Sequence, residues 1–373
     1  MTRLLLILVL ALLAAPAVSL ADTLTVNWAG GADYTTIGEA VTAARTGDTV
    51  LVAPGTYSGE NNRNMVVSYD MTIMSEGGRR SVTIDAGGQA RVFWFSDWCV
   101  NPVLSGFTIQ NGDGGLSYGG GIVCYDSSPI ISDCDIVACT ATTHGGGLYC
   151  HPSAAPTLID VTFTSCQADI GAGMAAFGAT PSLTRVRFGG NVAVSRGGGL
   201  YCESAPGMVE ITDCVFYGNQ VVNMGTGGGG LFLYSSQANI TGTTFAYNKG
   251  HLGSCIKLYG GSSPTIENCI LAFGRIGCPI HRFDENESPT ISRCVVYGNE
   301  AGDDLVGVFF DILYEDPRFC GMPTGDLTLC SNSSALPANN AWGVLMGAHG
   351  SGCGDCDSPV EGTTWGNIKS LYR

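Results

Sequence analysis

One repeat constrains this chain more than any motif in it. A glycine triplet followed by an apolar residue recurs at Gly119, Gly145, Gly197 and Gly228, with a variant at Gly171. Aligned on the apolar residue, the copies stand at Ile122, Leu148, Met174, Leu200, Leu231, Ile256 and Ile280, at spacings of 26, 26, 26, 31, 25 and 24. Only the stretch 220–227 breaks the period, as a loop inserted into one unit. A unit this short buries its apolar face only against its neighbours, so the units must stack into a solenoid with one continuous core.

The second half of each unit also repeats, as in Leu183-x-x-Val186-x-Phe188-x-x-Asn191 and Ile211-x-x-Cys214-x-Phe216-x-x-Asn219. By itself this half matches a leucine-rich repeat, which carries a helical segment in each unit. The glycine half excludes that: a helix after Gly145 would start in a glycine triplet and run into Pro156, and both residue types oppose it. Leu148-Tyr149-Cys150 instead alternates as a short strand. Each unit therefore predicts two or three short strands separated by Gly, Ser and Pro turns, an all-β right-handed parallel β-helix.

In-register coils stack equivalent residues about 4.8 Å apart. Cys134, Val161, Val186, Cys214, Thr243, Cys269 and Cys294 then form an inward column, and Asn191, Asn219, Asn248 and Asn299 a turn ladder whose amides serve backbone groups of neighbouring coils. These asparagines are expected to be structural.

Residues 1–21 read as a secretory signal peptide, with Arg3, the apolar run Leu4 to Ala15, and small Ser19 and Ala21 before a cut. That run is too short for a membrane helix, and no later segment approaches spanning length. The expected location is secreted or at the outer surface of a bacterial cell. The formal charge of −15 disfavours nucleic acid and anionic lipid as partners. Sixteen cysteines in an exported chain suggest disulfides. Cys124 with Cys150, Cys139 with Cys166 and Cys269 with Cys294 are candidate pairs on adjacent coils, or equally small apolar core residues. Cys353 and Cys356 are expected to form a terminal bridge or to pair with Cys320 or Cys330.

The segment from Tyr34 to Arg45 predicts a capping helix, with Tyr34, Ile37, Ala40, Val41 and Ala44 on one face and Thr36-x-x-Glu39 as a capping box. This helix and the following strand, Thr49 through Pro54-Gly-Thr-Tyr57, resemble the N-terminal cap of proteins with the pectin-lyase-like fold. The resemblance extends from about Thr23 to Asn299 and implies fold more than activity. Gly197-Gly-Gly-Leu200 with Phe216-Tyr-Gly-Asn219, and Gly228-Gly-Gly-Leu231 with Phe245-Ala-Tyr-Asn248, resemble the paired motifs of polymorphic outer membrane proteins, bacterial adhesins with β-helical passengers. The residues after Asn299 lack the strands of the membrane barrel that ends those proteins. The expected division is a β-helix with its N-terminal cap over 22–330, then a C-terminal cap segment and terminal tag over 331–373, the tag being Trp365 to Arg373.

Two sets of outward residues are candidates for chemistry. Polysaccharide lyases of this fold bind Ca²⁺ through acidic residues and use arginine or lysine as base. Asp133, Asp160, Arg185 and Asp213, flanked by Asp135 and Arg187, match that expectation, and Ca²⁺ is expected only under the lyase alternative. The bland account is a surface ladder in which Arg185 neutralises its acidic neighbours. A hydrolase would need two carboxylates about 5 to 9.5 Å apart, which Asp133 with Asp160, or Asp284 with Glu285 and Glu287, could supply. The second set is aromatic: Tyr149, Tyr201 and Phe232 in one column, with Tyr125, His151, Phe177, Tyr234, Tyr259 and Phe283 two positions later. Tyr125, Tyr149, Phe177, Tyr201, Phe232 and Tyr234 are the candidate carbohydrate-binding residues; a self-stacked ladder is the alternative. The histidines have no metal-ligand spacing, so no metal is expected outside the lyase alternative.

The leading expectation is a binding or adhesion scaffold towards carbohydrate, with a polysaccharide or cell-surface glycan as partner. The alternatives are a polysaccharide lyase or glycoside hydrolase on an acidic polysaccharide, and a structural surface protein without a ligand. Sequence leaves the oligomeric state open.

Overall fold

The computed structural model describes residues 21–97, 99–321 and 325–356. The expected signal peptide, apart from Ala21, and the tag Trp365–Arg373 lie outside the described residues. Within them the chain winds as a right-handed parallel β-solenoid. A representative coil runs through Leu200–Glu203, Val209–Thr212, Val215–Tyr217 and Gln220–Val221 before returning at Leu231–Tyr234. The first strand of each coil joins a nine-stranded sheet, the next two join a broad sheet, and the fourth, where present, joins a narrow five-stranded sheet.

The glycine triplet is required by backbone crowding. Gly197 has a φ of 60° in the left-handed region, which costs glycine little. A Cβ at Gly198 would lie 2.5 Å from the Gly229 carbonyl oxygen, and one at Gly199 would lie 2.7 Å from that of Gly230. Successive triplets therefore stack backbone on backbone, and a side chain there would force the coils apart.

Opposite the triplets, Phe163, Phe188, Phe216 and Phe245 stack inside the core with centroids 4.6–5.0 Å apart and planes within 12°. The expected cysteine column is fully inside, from Cys134 to Cys294. The asparagine ladder is buried beside it. Asn191 Nδ2 donates to Asn219 Oδ1 at 2.9 Å and Asn219 Nδ2 to Asn248 Oδ1 at 3.0 Å, while each also caps a carbonyl of the preceding coil. These amides satisfy backbone groups that the corner removes from the sheets.

Helix α1 (Ile37–Ala43) covers the first coil with Ile37, Ala40 and Val41. It is shorter than the predicted segment, and its expected capping box takes another form. Thr36 Oγ1 bonds Glu39 Oε2 at 2.6 Å, and the Ile37 amide is capped by Asn62 Oδ1 at 2.9 Å.

The adjacent-coil cysteines Cys124, Cys150, Cys139, Cys166, Cys269 and Cys294 remain buried thiols, serving as small core residues. The bridges join Cys320 to Cys353 and Cys330 to Cys356, with Cα separations of 6.0 and 5.7 Å. They staple a lobe built on Phe319–Gly321, Asp326–Cys330 and Ser351–Cys353. The segment expected to cap the solenoid instead lies, in its described part, along the flank. Leu327, Leu329 and Met346 pack on Val215, Ala246, Ile270 and Val295, outward residues of the broad sheet. The Gly347 amide donates to the Asn268 carbonyl at 2.8 Å, which fixes the lobe against that flank.

Candidate functional site

The insertion at 220–227 borders one concave part of the surface. Its amides at Val222 and Asn223 bond the carbonyls of Ala193 and Val194, and Leu252 donates back to Thr226 at 3.2 Å, so the loop stands as a wall beside the nine-stranded sheet. At its base, Gly227 approaches the Leu252 carbonyl so closely that no side chain fits there. The wall and the sheet enclose a groove of about 340 Å³ lined by Arg196, Glu203, Phe232, Tyr234, Lys257, Tyr259 and Phe283 among others. Larger clefts of about 490 Å³ beside α1 and 440 Å³ near Asp85 are more open.

Register explains the groove's composition. Tyr201, Phe232, Lys257 and His281 are successive partners in one column, and Glu203, Tyr234 and Tyr259 in the column two residues on. Tyr234 stacks on Tyr259 with centroids 5.0 Å apart, and Phe283 tilts against Tyr259 at 4.5 Å. Lys257 is only 4% exposed. Its Nζ lies 2.6 Å from His281 Nδ1 and 5.9 Å from the Phe283 centroid. Burial lowers the Lys257 pKa, opposed by the Glu287 charge; burial, then Lys257, lowers that of His281. One hydrogen bond therefore ties the two buried bases together. Arg196 lies over Phe232 at 5.9 Å, and Tyr201 donates to Glu203 Oε2 at 2.6 Å.

The groove therefore combines two cations, one carboxylate and a stacked aromatic edge, and its pre-formed shape suits a ligand with flat apolar faces and polar rims. Of the candidate aromatic residues, Phe232 and Tyr234 line it. Tyr201 is fully buried beneath its neighbours and supports the groove through Glu203. Tyr149, 7% exposed, is covered by Tyr118 at a centroid separation of 4.2 Å, which leaves it no free face for stacking on a ligand. Tyr125 stacks on His151 at 4.0 Å and Phe177 meets His144 at 4.7 Å, so this end of the column is a self-stacked ladder.

Asp133, Asp160, Arg185 and Asp213 lie elsewhere, at the corner joining the two strands of the broad sheet. All four have φ between 52° and 56°. Arg185 grips Asp160 with two bonds of 2.7 and 2.8 Å, and the Arg79 amide donates to Asp133. The flanking residues are also engaged: Asp135 is buried between Arg79 and Arg80, and Arg187 donates to Gly325 of the lobe. Paired guanidinium groups lower the pKa of Asp135, against its burial, and that of Asp160. This column has the contacts of a surface ion-pair ladder. Glu287 is buried and accepts from the Gly261 and Asp284 amides, holding a turn rather than facing the solvent beside Asp284 and Glu285.

Sequence reasoning missed Arg196, Glu203 and Lys257. Two signals marked them: the single break in period, and the replacement of aromatic residues by Lys257 and Glu203 in columns otherwise rich in rings.

The right-handed β-helix region family model matches residues 146–310. No curated protein matches the chain. Among solved structures, pectate lyase Pel9A aligns at 14% identity over 90% of this chain and 98% of that one, with a TM-score of 0.51. The Escherichia coli protein YbhC aligns at 13% identity over 83% and 87%, with a TM-score of 0.34. At this identity the Pel9A likeness is one of fold. Among the described residues no helix is long and apolar enough to cross a membrane. The chain folds as a right-handed parallel β-helix, with residues 146–310 matching the model of that region and a pectin-lyase-like fold overall.

Proposed function

We propose that this protein is a secreted or surface-attached β-helix that binds an acidic polysaccharide in the groove walled by 220–227. The observation that carries this proposal is the juxtaposition of Arg196 and Lys257 with the Tyr234–Tyr259 stack in the groove. The cations match sugar carboxylates, and the rings match sugar faces on a scaffold that needs little reorganisation. An excess of acidic residues elsewhere makes this positive focus specific rather than general. The likeness of fold to a pectate lyase is consistent with a carbohydrate-related role.

One observation favours a second, catalytic form of the same proposal. Lys257 stands at the groove floor with its Nζ 2.6 Å from His281 Nδ1, and burial lowers its pKa; deprotonated, it would take the proton next to a uronate carboxylate. In the groove, this role falls to Lys257 rather than to Arg185.

The test is titration calorimetry with oligouronides and matched neutral oligosaccharides, with and without Ca²⁺, alongside an assay for unsaturated products. Binding restricted to the uronides, weakened roughly tenfold or more by Arg196→Ala or Tyr259→Ala, is expected from the loss of a charged hydrogen bond or a stacking surface. Equal affinity for charged and neutral sugars, or none, would refute the uronide assignment. Product formation lost in Lys257→Met but kept in Arg185→Ala would establish the catalytic form.

A further inference from the structure

The two ends of the solenoid are finished differently. At the N-terminal end α1 buries Ile37, Ala40 and Val41 over the first coil. At the other end the final coil is the strand Val308–Leu313, which pairs along one edge with Thr290–Tyr297 and, among the described residues, with nothing along the other. Register makes the deficiency specific. Ile131, Leu158, Leu183, Ile211, Ile240, Ile266 and Ile291 form an inward column that is fully buried at every coil. Phe309 is the next member, paired with Ile291, yet it is 46% exposed because no coil lies above it. Val308 and Phe310 beside it are 56% and 49% exposed. An apolar strand with a free backbone edge is a template for one more strand.

We propose that Trp365–Arg373 of the same chain docks along Val308–Leu313 and closes this end. Three observations select this occupant. The segment supplies Trp365, Ile368, Leu371 and Tyr372 for the apolar surface. Its charged residues are Lys369 and Arg373, whereas the terminal coil carries Glu300, Asp303, Asp304, Asp311 and Glu315. The same acidic set opposes a second copy: two such strands paired antiparallel would bring Asp311 close to its counterpart. Reach is also sufficient. The flank lobe, to which Cys356 is bridged, already packs against Leu313. The eight residues from Asp357 to Thr364 span up to about 26–29 Å when extended.

The test is hydrogen exchange of residues 308–313 in the full chain, compared with the triple variant Trp365→Ala, Ile368→Ala, Leu371→Ala and the double variant Lys369→Glu, Arg373→Glu. Exchange at least tenfold faster in the triple variant and measurably faster in the double one is expected, with inner coils unchanged. A synthetic peptide of residues 365–373 should restore protection to the triple variant. Equal exchange in all three chains would overturn the proposal. So would protection that follows protein concentration in sedimentation, because a second copy would then be the cover.

Discussion

Individual side chains in this protein do one of three things: they ladder with their own kind, neutralise a neighbour, or line the groove. Asn219 is the clearest case of the first. It accepts from the Asn191 side chain and amide and donates to the Phe188 carbonyl, all in the buried corner. Asn219→Ala is expected to cost about 2–4 kcal/mol, because it leaves buried partners unsatisfied, and denaturant titration would measure this. Arg185 belongs to the second class. At 53% side-chain exposure its pair with Asp160 is worth at most about 1 kcal/mol, and Arg185→Ala should shift the unfolding midpoint very little. The interior thiols add a pH dependence. Burial pushes the Cys134, Cys214 and Cys255 thiols up to about 12, well above the pKa of an exposed thiol near 9. The folded state therefore holds these protons after the unfolded chain has released them. Their stabilising effect is complete below pH 9 and is lost as pH rises towards 12. Alkaline titration should show stability falling through that window, and alkylating reagents should reach these thiols only after unfolding.

At the scale of elements, one loop makes the difference between a ladder and a groove. Elsewhere along the nine-stranded sheet an aromatic is covered by a residue of a neighbouring coil, as Tyr149 is by Tyr118. In the inserted stretch Gly225, Thr226 and Gly227 border the nine-stranded sheet and line a cavity together with Phe232, Tyr234 and Lys257. Shortening the loop by the residues 222–226, which returns this coil to the common 26-residue spacing, should preserve the solenoid's circular dichroism and thermal transition while abolishing saccharide binding. Loss of fold instead would show that the loop is structural. The period was legible in the sequence, and so was its break. The wall was not, since its upright position depends on bonds to the Ala193 and Val194 carbonyls of the preceding coil.

Over the described residues the molecule is a solenoid with a stapled lobe along one flank. Cys320–Cys353 and Cys330–Cys356 hold three short strands whose apolar side covers Val215, Ile270 and Val295. Replacing Cys353 and Cys356 together by serine is expected to destabilise the lobe by about 2–4 kcal/mol while the inner coils keep their protection. Proteolysis should then release fragments from 319–356 before any from the solenoid. This flank position was invisible beforehand because a cap segment and a lateral lobe have similar composition. The docking site consists of outward residues such as Val215 and Ile270, which alternate with the inward column and resemble ordinary surface positions in sequence.

Sequence alone determined the coil. The triplets, the Phe-x-x-Asn corner and the inward cysteine column repeat because each coil offers its neighbour the same surface, so one period specifies the fold locally. Tertiary structure alone decided which outward residues remain available. Tyr201 and Lys257 occupy the same column, yet Tyr201 is sealed below its neighbours and Lys257 forms the floor of a groove. The covering groups come from an inserted loop and a distant lobe that no repeat encodes, and exposure depends on where those segments come to rest.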